Sequence, residues 1–165
     1  MTAADPTATC PECGAPLAAG RTCVDYFHDL LALEAGVVGA PGAEPHFFAV
    51  AAYNLQHPSS FTPAALVGLQ RTVADVLLGR ATLADARRRV RAAADGAMRV
   101  RRQADTAVTP AEQAMLRAWP TAWGVTVRDV LTGGAHGYGE RVSAWARAVV
   151  AALDAVMASP AKSAG

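Results

Sequence analysis

Cys10-Pro-Glu-Cys13-Gly-Ala-Pro-Leu-Ala-Ala-Gly-Arg-Thr-Cys23-Val-Asp-Tyr-Phe-His28 holds all three cysteines of this 165-residue chain. An odd count leaves one thiol over from any disulfide, and nothing in the sequence suggests export. Cys-x2-Cys followed, after nine intervening residues, by a third cysteine predicts a metal knuckle over residues 10–23. The expected ion is zinc, whose tetrahedron takes thiolates and a neutral imidazole. Gly14, Pro16 and Gly20 supply the turns, and the knuckle has room for a tiny hairpin.

Outward from the knuckle, apolar residues at helical spacing predict a first helix over about 24–35 and a second over about 44–57, stopped by Pro58. The Gly/Pro loop 36–42 between them is short, so the two should form an antiparallel hairpin. The first helix starts at the metal, hence the second must end there. That brings His57 within reach of the ion, and His28, one turn into the first helix, is within reach too. His46 lies eleven residues before His57, about 16 Å away at about 1.5 Å per residue, and is excluded as a ligand. The same hairpin pairs His46 with Glu34 at the far end, where carboxylate and imidazole could act as an acid/base pair or share a second metal. The simpler expectation is one hydrogen bond pinning His46. His136, in the glycine-rich turn 133–139, is a candidate third member, and Tyr53 is expected in the core.

The remaining chain also reads as helices. Thr62-Pro63 opens a third, ending near Gly79, and Thr82 with Asp85 caps a fourth that the pattern carries to about Gln103. Thr109-Pro110-Ala-Glu112 opens a fifth, ending before Pro120; Thr126 with Asp129 opens a short sixth; and the last runs over about 140–158. Residues 1–9 are expected to be disordered and 159–165 to be a frayed tail. Trp119, Trp123 and Trp145 are expected to anchor the core between the last helices. No segment alternates long enough to make a convincing strand, and aromatics at 6% argue against a β-sandwich or barrel. The predicted fold is an all-α, single-domain helical bundle over 10–158 whose first hairpin is clamped by zinc.

Composition narrows the function. A net charge of +1 provides no global field toward nucleic acid or membrane. No apolar run reaches the roughly 20 residues of a membrane helix, and Met1–Thr9 has neither the basic start nor the apolar run of a signal peptide. A cytoplasmic location is therefore expected. The arginine bias, with one lysine at Lys162, fits a GC-rich bacterial genome. Arg87, Arg88, Arg89, Arg91, Arg99, Arg101 and Arg102 would decorate the fourth helix, but no aromatics interleave them, so a solvated face is expected over a nucleic-acid site. The 133–139 turn lacks the Lys-Ser/Thr of a phosphate loop, and no catalytic fingerprint occurs.

The runs 10–15, Thr22-Cys-Val-Asp-Tyr-Phe-His-Asp-Leu-Leu-Ala-Leu-Glu34 and Pro45-His-Phe-Phe-Ala-Val-Ala-Ala-Tyr-Asn-Leu-Gln-His-Pro58 resemble a bacterial domain of unknown function (DUF5946). Trp123-Gly-Val-Thr-Val-Arg-Asp-Val130 and Arg141-Val-Ser-Ala-Trp-Ala146 extend the resemblance over nearly the whole chain. The family pattern matches at Cys10, Cys13, Cys23, Glu34, His46, Tyr53, Gln56, His57, Pro58 and Thr126. Its members do not all have a histidine at the position of His28, so the resemblance favours His57 as fourth ligand. It implies a small standalone protein and brings no activity with it. The expected function is a zinc-stabilised binding or regulatory module, more readily a non-enzyme, with a protein or small-molecule partner; a homodimer is compatible. The alternatives are an enzyme centred on Glu34 and His46, and a nucleic-acid binder using the arginine helix.

Overall fold

Thr22 accepts a hydrogen bond from the Asp25 amide while Asp25 reaches back to the Thr22 amide, a capping box that starts α1 (Cys23–Val38) directly at the third cysteine. The computed structural model describes residues 8–39, 43–96, 100–103 and 107–158. Ala8–Thr9 and Pro16–Leu17 form two short antiparallel strands, β1 and β2, that close the knuckle as a hairpin. Ala8 and Thr9, expected in a disordered N-terminus, are thus paired, because Leu17 and Pro16 offer them partners. Residues 1–7 of that expected segment, and the expected tail 159–165, lie outside the described residues.

Six further helices follow among the described residues: α2 (Glu44–Gln56), α3 (Pro63–Leu77), α4 (Leu83–Asp95), α5 (Pro110–Ala118), α6 (Val127–Thr132) and α7 (Tyr138–Ala158). The chain is a single, mainly helical domain. Its core lies along α7, whose Val142, Trp145, Val149 and Leu153 form a buried stripe at helical spacing. α2 packs along α7, α3 touches both, and α6 lies against α1. Trp119 donates its indole N–H to the Leu55 carbonyl at 2.8 Å, and Gln56 donates to the Val125 carbonyl at 2.7 Å, fixing the later segments to the end of α2. Trp145 is fully buried, while Trp123 is half-buried and donates to the Glu12 carbonyl of the knuckle at 3.3 Å.

The fourth helix ends eight residues before the expected Gln103. Gly96 itself is extended, and Val100–Arg102 pairs with the segment before α3. Thr62 donates its amide to the Val100 carbonyl at 3.0 Å and Arg102 donates to the Ser60 carbonyl at 3.1 Å. Arg101 lies over the Phe61 ring instead of on a helix, and Arg99 lies outside the described residues. The continuous arginine face is therefore absent from the described residues. Arg88 pairs with Asp85 and Arg89 with Asp75.

Candidate metal centre and a second polar cluster

Three elements converge on one point. The knuckle carries Cys10 and Cys13, the first residue of α1 is Cys23, and the residue that ends α2 is His57. The three sulfurs and a ring nitrogen of His57 all lie within 4.8 Å of one another, and all four side chains are buried. Cys13 and Cys23 sulfurs stand 3.5 Å apart, and the Cys10 sulfur is 3.6 Å from His57 Nε2. These separations suit zinc: bonds of about 2.3 Å to sulfur and about 2.0–2.1 Å to nitrogen give tetrahedral edges of about 3.5–3.8 Å. They are far too long for a disulfide, and the three cysteines are free.

The ring of His57 is set by its neighbours. Nδ1 donates to the Tyr53 carbonyl at 2.7 Å, which leaves Nε2 toward the sulfurs. A backbone acceptor of this kind fixes the tautomer and orientation a metal ligand needs. The Tyr53 ring stacks on His57 at 4.0 Å and on Phe27 at 4.0 Å, so the imidazole is walled by aromatics. A hydrogen bond from Cys23 holds the Cys13 thiol well below its usual range, and the same bond with burial pushes Cys23 up. Burial raises Cys10. Burial pulls His57 down, but its contacts with Cys13 and the Tyr53 carbonyl outweigh this and leave it raised. His28 is exposed on α1 and is not part of the group.

The knuckle is docked by Glu12 and Tyr26, which the sequence reading passed over, and by Gly14, which it read as a turn. Glu12 accepts the Ser59 amide at 2.9 Å, beside the end of α2. Gly14 takes a φ of 71°, and a Cβ there would come within 3.2 Å of the Thr121 carbonyl, so glycine suits both its conformation and its close approach. Tyr26 lies under two guanidinium groups, Arg21 and Arg128, each 4.3 Å from the ring centre.

At the other end of the hairpin, His46 Nδ1 donates to Glu34 at 2.6 Å. The second oxygen of Glu34 accepts the Tyr138 hydroxyl at 2.6 Å, so a buried carboxylate has a donor on each oxygen. The expected third members are elsewhere: His136 is exposed, and Tyr53 belongs to the metal end. Tyr138 escaped notice because it sits in the glycine-rich stretch, where the sequence reading began the helix two residues later. That stretch is held by Arg141, whose guanidinium donates to the carbonyls of Val130, Gly134 and His136.

The model of a family of unknown function matches residues 8–154. No curated protein and no solved structure matches the chain. No helix among the described residues is long and apolar enough to cross a membrane.

Proposed function

The chain belongs to this family of unknown function (DUF5946), and we propose that it is a zinc-stabilised helical binding module. Cys10, Cys13, Cys23 and His57 would hold the ion. The convergence of their four donor atoms within 4.8 Å, all buried, carries this reading. Three thiolates and one imidazole are a donor set that zinc favours, whereas oxygen-seeking ions such as magnesium or calcium would reject it. Four protein donors complete the tetrahedron, and zinc catalysis needs an open position, so the ion's role is to hold structure. A reducing compartment suits the free thiols.

Metal analysis of protein prepared without chelator tests this. One zinc per chain is expected, lost in Cys13→Ser and in His57→Gln but retained in His28→Gln. Metal-free protein, or zinc retained in His57→Gln and lost in His28→Gln, would overturn the assignment.

A second reading has one observation in its favour: His46, hydrogen-bonded to the buried Glu34, also lines a cavity. Such a histidine can move protons between ligand and carboxylate. Hydrolysis of an activated aryl ester by wild type, compared with His46→Gln, is a simple probe. A wild-type rate no higher than that of free imidazole would remove this reading.

A further inference from the structure

α2, α3 and α4 border a cavity of about 420 Å³ that the metal centre does not use. Small-ligand sites run from about 300 to 1,000 Å³. Its walls are largely apolar: Phe47 and Val50 come from α2, Leu66 and Leu69 from α3, and Val90 from α4, with Phe61 at one end. Short connections join α2 to α3 and α3 to α4. His46, Asn54, Arg87, Arg89 and Val100 also line the cavity.

Among the described residues the cavity's lining has two arginines, Arg87 and Arg89, and no carboxylate. Asp75 accepts from both Arg80, at 2.9 Å, and Arg89, at 2.6 Å, so one carboxylate faces two guanidinium groups. Arg87 lines the cavity, is exposed, and makes no ion pair among the described residues. At the start of α4 the Asp85 carboxylate already accepts the Thr82 amide, so a phosphate there would meet a like charge. One unpaired guanidinium matches a single carboxylate. From His46 to Asn54 is eight residues of helix, about 12 Å at about 1.5 Å per residue, close to the length of an extended decanoate.

We propose that this cavity binds an amphipathic carboxylate of medium-chain fatty-acid type, its head at Arg87 and its tail between α2, α3 and α4. The recognition is the sum of an anion site and an apolar trough, and neither half alone should suffice. This goes beyond the metal assignment and does not depend on it.

Calorimetric titration of the zinc-loaded full chain, below micelle-forming concentrations, tests the inference with three probes. Decanoate should bind one per chain, while acetate, lacking the tail, and decyltrimethylammonium, with the opposite charge, should not. Arg87→Ala, at an exposed residue with no ion pair to lose, should weaken decanoate about tenfold or more, as loss of a charge-assisted hydrogen bond does. Gly68 lines the cavity, and a Cβ there meets nothing within 4 Å, so Gly68→Leu should fold and fill the trough. It should abolish decanoate binding with zinc content and helical circular dichroism unchanged. The proposal falls if decanoate shows no saturable binding up to about 1 mM. It falls equally if the cationic probe binds as well, or if Gly68→Leu keeps wild-type affinity. Zinc is measured on the same samples, so failure of this site is distinguishable from failure of the metal centre.

Discussion

The carboxylate of Glu34 is buried with one donor on each oxygen, His46 from α2 and Tyr138 from α7, and each contact is 2.6 Å long. Burying a carboxylate is costly unless such donors replace its water. Burial and the bond to Glu34 push the Tyr138 hydroxyl up from its usual range, so it stays a donor at any pH the fold meets. Tyr138→Phe removes that donor and leaves one oxygen without its partner. It should cost about 1.5–3 kcal/mol, the range for a hydrogen bond to a charged group. Urea unfolding of zinc-loaded protein measures this, and an unchanged midpoint would show that the bond contributes nothing. The pairing of Glu34 with His46 was legible in the sequence because the loop between the helices is short. The arrival of Tyr138 was not, because it comes from 104 residues away, and residue spacing contains no information about which distant helix packs across a hairpin.

Helix starts are where the local sequence speaks most clearly. α1, α4 and α5 each open on a threonine whose side chain accepts from the N3 amide, with Asp25, Asp85 and Glu112 returning the bond. Those reciprocal bonds hold all three carboxyls below the ordinary carboxylate range. A carboxyl depressed on folding adds stability that is complete above its unfolded value and is lost as pH falls through the lower, folded one. The gap in urea midpoint between wild type and Asp85→Ala should therefore be full at about pH 6 and shrink progressively as pH falls below about 4. Zinc loss in acid is common to both proteins and cancels in the comparison. A gap that persists in acid would mean the effect is not that of the ionised cap. Helix ends were less legible. Alanine and arginine continue at helical spacing past Gly96, yet Gly96 is extended, and Val100 and Arg102 find main-chain partners at Thr62 and Ser60. Propensity favoured more helix, and non-local pairing with a segment some forty residues earlier won.

On the scale of the molecule, the α1–α2 hairpin is fastened at both ends by polar groups and between them by apolar packing. The Cys10, Cys13, Cys23 and His57 cluster gathers the knuckle, the start of α1 and the end of α2, and Glu34 ties the far ends of both helices to α7. The apolar core along α7 includes Val142, Trp145, Val149 and Leu153, on a helix that holds none of the four clustered residues. Because such a site forms only in the folded chain, the binding energy of the proposed zinc would be folding energy for the elements that meet there. Chelation should thus act unevenly. Amide hydrogen exchange should rise sharply in residues 8–30 and around His57, including the Glu12 contact with Ser59, while the central turns of α7 and α3 keep most of their protection. The far end of the hairpin should hold as well, since Tyr138 and His46 still grip Glu34 without zinc. If chelation instead strips protection from α7 as fast as from the knuckle, then the metal supports the whole domain and the core is too weak to stand without it. Protection unchanged everywhere would mean that the four side chains pack as stably without an ion as with one, and the clamp would lose its structural role.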